Sequence, residues 1–576
     1  MTKKLGLLLL LLTVVPAVAQ VPYIETLEVR VHSIDVVVTD AKGKPVAGLG
    51  PADFQLFEDG VEKPISNFSG VAGGGQAILP VLDGRDRPSS TSEPQRAPRK
   101  FIFYVDEMSL GASQKKLEKE LARLIDTAMQ PGDEAMIVRP AEEQKLTTPF
   151  IGDREAVRKA LLEAVREEGW RADAPILREM RLLEQQLGGV STSFAARVGA
   201  RRWAGLVRAR AEQRLGQLRA VVNAAAGIEG RKVLVLITES LPLEPGKEAF
   251  TAMGDVVTVP IDTAFYDGSP VAGQLSANPE STIDWVSLKP LVEEIGRTAA
   301  TNGISIYPVQ PEYGLSLLAP GGDIGAANPT RTSEVRSQAS VARLTSTGKS
   351  VLVEHMTSNT EATLAPLAAM TGGTWHRGGL QLDDVVNRIV EDVSSYYSLG
   401  YRAGDAFDTA HKIEVRVKGR PDLKVRTRQE VMRKSPQREM TDRVVASLLD
   451  PSDTNELGIR LEMKEVAVAA DRQYKTVWIA ARVPLSTLTF VPDGDKLKAR
   501  FSVHFAATGT ESDFASGVHG EQLVEIPAAT FEEVKDQNYT YVIPLNLRPA
   551  KHTIAIGVLD MLSNLSGFGT LQLNLR

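Results

Sequence analysis

Two carboxylates and two hydroxyls stand in this sequence where buried strands are predicted to end. Asp106 directly follows one continuous apolar run, and Ser109 comes three residues later, whereas Glu239 and Ser240 follow a second apolar run. In an open α/β sheet, ligands collect beyond the carboxyl ends of the strands, at the point where the strand order reverses. We therefore expect Asp106 and Glu239 to lie close together at that edge.

Two carboxylates at close range repel each other unless a cation, a proton or backbone donors lie between them. Carboxylate and hydroxyl oxygens are the ligands that hard divalent cations prefer. Asp106, Ser109 and Glu239 are the candidate ligand-binding residues at this edge. The alternative interpretation is that Asp106 and Glu239 are polar strand ends that accept N–H bonds from the following loops.

Other catalytic signatures are missing from the sequence. Cysteine is absent, which excludes disulfides, thiol catalysis and cysteine-bound zinc or iron–sulfur clusters. The histidines form no His-Glu-x-x-His pair, and no Gly-x-Ser-x-Gly elbow occurs. The triplet Gly348-Lys349-Ser350 is similar to the end of a phosphate-binding loop, but Arg343 stands where that loop needs its first glycine.

The composition is that of a globular protein with several domains. A chain of 576 residues accommodates roughly three to five of them. Hydrophobic residues make up 43% and charged residues 24%, which excludes a disordered or collagen-like chain. Acidic residues outnumber basic ones by 72 to 66, so the net charge is −6. Because nucleic-acid-binding proteins carry a strong basic bias, we expect no nucleic-acid partner.

The N-terminal segment 1–19 has the features of a signal peptide. Lys3 and Lys4 precede an apolar run over residues 5–15, and Ala17-Val18-Ala19 supplies the small residues before cleavage. The run is too short to span a bilayer, and no later stretch is long enough. We predict cleavage between Ala19 and Gln20, no membrane span after cleavage, and export to the periplasm, the cell envelope or the extracellular space.

Apolar periodicity divides the first two thirds of the chain into a β region and an α/β region. Residues 20–69 alternate as the strands of an Ig-like β segment, and residues 70–98 have the composition of a linker. Residues 99–405 alternate buried strands with helices, which predicts a doubly wound, Rossmann-like domain with helical and loop insertions. We interpret the many arginines in the helical stretch 174–226 as a solvated charged face.

The remainder of the chain reads as β structure. Residues 406–432 contain strands that we expect to pair with the N-terminal β segment, since neither group alone has enough strands to be stable. Residues 433–442 are predicted to be a polar linker, and residues 443–576 a C-terminal β-sandwich. The predicted fold class is therefore α/β plus all-β.

Short motifs follow one another in a fixed order between residues 27 and 430. They are VVVTD (36–40), GKPVAGL (43–49), DF (53–54), FEDG (57–60), MQPGD (129–133), PF (149–150), DR (153–154), GRK (230–232), GISIYPV (303–309), LA (367–368), TGG (371–373) and SYYSLGY (395–401). This order resembles that of acidobacterial-type proteins with a von Willebrand factor A (VWFA)-related domain. The resemblance implies an exported protein in which a von Willebrand A-type domain is inserted between β strands.

The resemblance also implies a metal site. Many A-type domains hold a cation through Asp-x-Ser-x-Ser after the first strand and through a Thr and an Asp farther along the chain. Asp106 matches the first aspartate, but Met108 and Leu110 stand at the serine positions, and Ser109 is one position out of register. Glu239 stands where related domains carry the later aspartate. The resemblance therefore implies a degenerate site of Asp106, Ser109 and Glu239 that binds Mg²⁺, Mn²⁺ or Ca²⁺ weakly, with backbone donors and solvent around the carboxylates.

A-type domains usually bind protein partners rather than catalyse reactions. The prediction from the resemblance is an exported, non-enzymatic protein-binding or adhesion-type module that uses the carboxyl-end face of its A-type domain. Its protein partner is unidentified. Two alternatives stay open: an envelope hydrolase with an active site assembled from distant residues, and a purely structural envelope component.

Overall fold

The computed structural model describes residues 31–72, 76–78, 98–106, 109–110, 114–140, 146–166, 193–247, 287–311, 357–375, 382–404, 406–450, 454–468, 473–509 and 514–575. The predicted cleavage site at Ala19 and Gln20, residue Met108 and most of the predicted linker 70–98 lie outside these ranges. Among the helices in these ranges, none is both long enough and apolar enough to cross a bilayer.

The N-terminal β segment and the α/β region contain ten strands and six α-helices within the described residues. The strands are β1 (Val31–Thr39), β2 (Phe54–Glu58), β3 (Val61–Lys63), β4 (Ile65–Ala72), β5 (Gln76–Ile78), β6 (Arg99–Val105), β7 (Glu134–Arg139), β8 (Leu146–Thr147), β9 (Arg231–Ile237) and β10 (Ile304–Val309). The helices are α1 (Gln114–Ala128), α2 (Arg154–Arg166), α3 (Ser193–Ala225), α4 (Lys289–Thr301), α5 (357–370) and α6 (Leu382–Ser394).

The part of the chain after α6 is mostly β structure. Its strands are β11 (Tyr396–Arg402), β12 (Ala410–Val417), β13 (Lys424–Thr427), β14 (Glu430–Met432), β15 (Arg460–Val468), β16 (Lys475–Pro484), β17 (Val491–Asp493), β18 (Lys496–Gly509), β19 (Phe514–Pro527), β20 (Asn538–Leu547), β21 (Lys551–Asp560) and β22 (Ser566–Asn574). Two helices accompany them, α7 (Pro436–Ala446) and the short α8 (Phe531–Val534). The predicted combination of α/β and β structure is therefore present.

A doubly wound sheet forms the α/β unit (99–394). Its strand order is β8-β7-β6-β9-β10, in which β8 alone is antiparallel. Helices α1, α2 and α6 cover one face, while α3, α4 and α5 cover the other, which explains why the parallel strands are apolar almost throughout. If the five strands are numbered by their order along the chain, their order across the sheet is 3-2-1-4-5. The strand order therefore reverses between β6 and β9.

Strands from two distant parts of the chain form a split β unit (31–78 and 396–432). β1 lies between β11 and β13, and β12 lies between β2 and β14, all antiparallel. The expected end of the α/β region at residue 405 differs from the structure, because β11 (Tyr396–Arg402) pairs with β1 and β4 instead. Tyr397 and Tyr401 of β11 are buried in this unit and donate hydrogen bonds to the carbonyl of Val46 and to Glu58.

Arginines fasten the split β unit to the amino ends of the parallel strands. Arg426 donates to both carboxylate oxygens of Asp392, at 2.7 and 2.6 Å. Arg231, the first residue of β9, lies 3.0 Å from Asp35, and its guanidinium stacks 3.7 Å from the centre of the Tyr396 ring. The split β unit therefore sits at the amino-end edge, away from the edge at which ligands collect in such sheets.

The helix α7 occupies the place where a linker over 433–442 was predicted. The Ser435 hydroxyl accepts from the Arg438 N–H and Pro436 fills the first turn, so the sequence carries an N-cap that the linker interpretation missed. The buried face of α7, with Met440 and Val444, packs on β18 and β21. Gly227 is required nearby, because an added Cβ would lie 2.1 Å from the Asp442 carbonyl oxygen.

The C-terminal β unit (454–575) consists of two antiparallel sheets. β15-β16-β20 is one sheet, and β17-β18-β21-β22 with β19 on β18 is the other. Apolar side chains from both sheets share one core, which includes Phe501, Ile543 and Ile556. His504 ties this unit to α7, since its Nδ1 lies 2.8 Å from Thr441 Oγ1 and its Nε2 lies 2.9 Å from Ser502 Oγ.

The free energy of unfolding should fall as the pH drops from about 6.5 to about 4. Burial lowers the pKa of His504 to about 4, and burial together with Arg428 lowers the pKa of His32 to about 4. In this window the unfolded chain binds protons that the folded chain does not, so stability present above pH 6.5 is lost. Each histidine accounts for about 1–2 kcal/mol of that loss by about pH 5.

Urea unfolding of the wild type, His504→Gln and His32→Gln at about pH 7 and about pH 5 tests this expectation. Each variant should lose less stability between the two pH values than the wild type does, because it lacks one of the depressed histidines. Equal losses in all three proteins would show that these histidines do not cause the acid sensitivity.

Candidate functional site

Polar residues directly follow three neighbouring parallel strands. Asp106 comes after β6, Thr238 after β9 and Gln310 after β10. The backbone ladder continues through them, since the Asp106 N–H donates to the carbonyl of Ile237 and the Thr238 N–H donates to the carbonyl of Val309. These side chains therefore collect at the carboxyl-end edge, where the strand order reverses between β6 and β9.

The carboxylate of Asp106 is buried against a guanidinium. Asp106 is 3% exposed and Arg214 of α3 is 6% exposed. Arg214 Nε lies 3.1 Å from Asp106 Oδ1 and 2.9 Å from Oδ2, and its Nη2 also donates to Oδ2. The sequence suggested backbone donors and solvent around this carboxylate, whereas the structure places a full positive charge against both of its oxygens.

Oxygen atoms of the loop after β9 complete the surroundings of Arg214. Its Nη2 donates to Thr238 Oγ1 at 3.0 Å and to the carbonyl of Ser240. The Thr238 hydroxyl in turn donates to Asp106 Oδ2 at 2.7 Å and lies 3.2 Å from Ser109 Oγ. The guanidinium of Arg214 thus contacts the residues at the ends of β6 and β9 and the loop after β9.

The three predicted site residues come together at this edge, through the backbone as well as through side chains. The Ser109 N–H and hydroxyl both donate to the carbonyl of Asp106, at 3.0 Å each. The Glu239 N–H donates to Ser109 Oγ at 3.0 Å, and the Glu239 carbonyl accepts from Gln310 Nε2 at 2.7 Å. Leu110 is buried in the core between the sheet, α1 and α6, so it takes no part in the polar cluster.

The arrangement does not fit a resident divalent cation at Asp106. A cation needs the carboxylate oxygens as ligands, and Arg214 and Thr238 already donate to both of them. Within the described ranges, no group of three or more histidine, aspartate or glutamate side chains is placed to hold a metal. Arg214 supplies the positive charge that a cation would otherwise supply.

Arg214 is the site residue that the sequence analysis missed. It was included among the arginines of a solvated face in 174–226, but its side chain is buried. The signal was its place on the apolar side of α3, because Ala211, Leu215, Leu218 and Val222 repeat at helical spacing and pack on the sheet. An arginine three residues after Ala211 must face the same way, and therefore needs a buried acceptor.

Tyr104 lies beside this cluster, two residues before Asp106 in β6. Its side chain packs among the residues that α3 covers, and its hydroxyl is buried. Burial, reinforced by the Asp106 carboxylate, raises the pKa of Tyr104 well above its usual value. The phenol is therefore neutral at physiological pH and adds no second negative charge next to Asp106.

Comparison with known proteins adds little to this description. No protein-family profile matches the chain, and no curated protein matches it. Among solved structures, the chain is similar over 31% of its length to the crystal structure of Bacteroides uniformis β-glucuronidase, with 8% identity and a TM-score of 0.14. The match covers 19% of that chain, and a similarity this low carries no argument about fold or function.

Arg214→Ala should destabilise the protein by about 3–5 kcal/mol, because it leaves the Asp106 carboxylate buried without a counter-charge. The oxygens of Asp106, Thr238 and Ser240 would then face the vacated space. We therefore expect millimolar Mg²⁺ or Mn²⁺ to restore part of the lost stability in this variant alone. Thermal unfolding with and without each ion measures both effects.

Arg219→Ala is the matched control on the same helix. Its guanidinium lies 3.4 Å from Glu294 and its side chain is 45% exposed, so the change should cost less than about 0.5 kcal/mol and respond to no ion. If Arg214→Ala proves as stable as this control, the buried ion pair does not organise the edge.

Proposed function

We propose that this chain is an exported, non-enzymatic protein-binding module of the von Willebrand A type that acts through the carboxyl-end face of its α/β unit. The doubly wound strand order, with helices on both faces, supports the A-type assignment. The split β unit supports an insertion between β strands, because β1 and β11 pair from either side of the α/β unit. The opposite, carboxyl-end edge is the part of the sheet at which a partner would bind.

The observation that carries the proposal is the buried pair between Asp106 and Arg214. It stands at the reversal of strand order, the position that ligands favour in this kind of sheet. The oxygens of Asp106 and Thr238 are contacted by the Arg214 side chain rather than by an ion. The face is therefore preorganised without metal, and partner binding should not depend on divalent ions.

The same contacts argue for binding rather than catalysis. An activated serine or threonine nucleophile needs a general base beside its hydroxyl. Here the Thr238 hydroxyl donates to a carboxylate that already accepts hydrogen bonds from Arg214 Nε and Nη2, and the Ser109 hydroxyl donates to a backbone carbonyl. These hydroxyls hold the loops together. A hydrolase with a dispersed site and a purely structural component remain the competing functions.

Calorimetric titration of Mg²⁺, Mn²⁺ and Ca²⁺ into the full chain should show no binding tighter than about millimolar, since strong hard-cation sites require several free oxygen ligands. Asp106→Ala provides the comparison and should give the same heats as the wild type. Tight binding that disappears in Asp106→Ala would show a working metal-dependent site and would overturn this part of the proposal.

A photo-crosslinking amino acid at Lys247, on the segment after β9, should capture a protein partner in the native envelope fraction. Capture should be equal with and without EDTA, because the face needs no metal. The control places the same amino acid at Lys418, an exposed position in the split β unit. Its crosslinked products should differ from those captured at Lys247. Identical products at both positions, or turnover in a hydrolase screen, would contradict a dedicated binding face.

A further inference from the structure

The helix α3 is much longer than the sheet on which it packs. Its 33 residues span about 50 Å, whereas the seven residues of β9 span about 23 Å. Arg214 meets Asp106 at the carboxyl ends of the strands, and the helix ends at Ala225, just before β9 begins at its amino end. The part of α3 before Arg214 therefore projects beyond the carboxyl-end edge.

This projecting part is strongly basic, although the protein as a whole is acidic. The complete chain has 72 acidic and 66 basic residues. Between residue 193 and Arg214, one acidic residue, Glu212, accompanies five arginines, which are Arg197, Arg201, Arg202, Arg208 and Arg210. A local excess of one charge sign at the edge of a binding face raises the encounter rate with partners of the opposite sign.

One side of the projection is packed and the other side is exposed. Ala200 and Trp203 are buried, at 0% and 1% exposure. The opposite side forms what we call the α3 arginine face, and its residues are all exposed: Arg201, Arg202, Gly205, Arg208 and Ala209. Guanidinium groups thus alternate with residues that have little or no side chain, so an extended segment can approach the helix closely.

The projection is braced against the carboxyl-end loops. An added Cβ at Gly246 would lie 2.2 Å from Ala204 Cβ, so the segment after β9 touches the helix where only a glycine fits. Gly246 also has a φ of +87°, which favours glycine. Leu243 in the same segment donates to the carbonyl of Asn359 in α5. The arginine face is therefore fixed relative to Asp106 and Arg214.

The ion pair that Arg208 of this face makes with Glu212 is easily exchanged. Arg208 Nε lies 2.8 Å from Glu212, but the two side chains are 45% and 43% exposed. Exposed pairs of this kind contribute about 0–1 kcal/mol, so a partner's carboxylate can replace Glu212 at little cost. Guanidinium groups bind carboxylates in a two-point geometry that lysine cannot reproduce.

We propose that the α3 arginine face binds a short acidic segment of the protein partner. This inference rests on the proposed protein-binding function and specifies the chemistry of the partner. Extended polyanions fit less well, because the protein carries a net charge of −6 and would repel them elsewhere. Recognition of single-stranded nucleic acid also relies on aromatic stacking, whereas this face presents arginine, glycine and alanine.

The test measures binding of fluorescein-labelled octaglutamate to the full chain by fluorescence anisotropy. The variant is Arg201→Gln/Arg202→Gln/Arg208→Gln. The control removes three exposed arginines elsewhere, Arg297→Gln/Arg416→Gln/Arg420→Gln, whose side chains are 55%, 60% and 50% exposed. Both variants lose the same charge, and thermal unfolding checks that both remain folded.

The wild type should bind the peptide at about 20 mM NaCl and lose most of that binding at about 500 mM NaCl, where charges are screened. The α3 variant should bind about tenfold more weakly, since each of three exposed ionic contacts is worth up to about 1 kcal/mol. The control should stay within about twofold of the wild type. Equal weakening in both variants, or no binding by the wild type at low salt, would overturn the inference.

Anionic lipid vesicles and a single-stranded oligonucleotide are run beside the peptide. If either binds more tightly than octaglutamate and is lost in the α3 variant, the acidic-segment assignment is wrong. Crosslinking from Lys247 separates this inference from the proposed function. If the α3 variant still captures the partner, the proposed binding face is retained and the role of the α3 arginine face is rejected. If the α3 variant no longer captures it, both the binding face and the role of the arginines are supported.

Discussion

The buried ion pair between Asp106 and Arg214 is the constraint on which the carboxyl-end edge depends. A carboxylate that is 3% exposed is costly to bury alone, and removing one partner of such a pair costs several kcal/mol. Because the counter-charge comes from α3, the helix, the two central strands and the loop at Ser240 are positioned by one side chain. The geometry of the edge is thus set by contacts between side chains and backbone of the chain itself.

Arginines organise the two edges of the parallel sheet for different purposes. At the amino ends, Arg426 of the split β unit meets a carboxylate of α6, whereas Arg231 of β9 meets a carboxylate and an aromatic ring of the split β unit, and this edge is covered. At the carboxyl ends, Arg214 is buried against Asp106, Thr238 and Ser240. The part of α3 before Arg214 extends past these strand ends. Both kinds of contact join elements that lie far apart in sequence, so the split β unit is fixed at one edge of the α/β unit and lies away from the other.

Most elements of this fold were readable from local pattern, and the pairing of residues 406–432 with the N-terminal β segment was predicted from the number of strands, but the side-chain contacts of the site were not readable. Residues 101–105 and 233–237 read as buried parallel strands because both of their faces are apolar. Asp106 follows the first strand, as expected, whereas Thr238, which follows the second, was not among the predicted site residues. Asp106 meets Arg214 from 108 positions away, and no local pattern reports such a partner. The predicted boundary at residue 405 was wrong for a similar reason. The sequence of β11 indicates a strand but does not indicate which sheet it joins, and in the structure it pairs with β1.

The pairing of β1 with β11 also determines the order in which the molecule can be assembled. Val31 to Val36 align with residues that end at Arg402, so the whole α/β unit separates β1 from its neighbour along the chain. The α/β unit has all of its strands earlier and can fold while the first strand stays unpaired. An unpaired apolar strand is an aggregation hazard, so β1 is vulnerable until the split β unit closes beside the α/β unit.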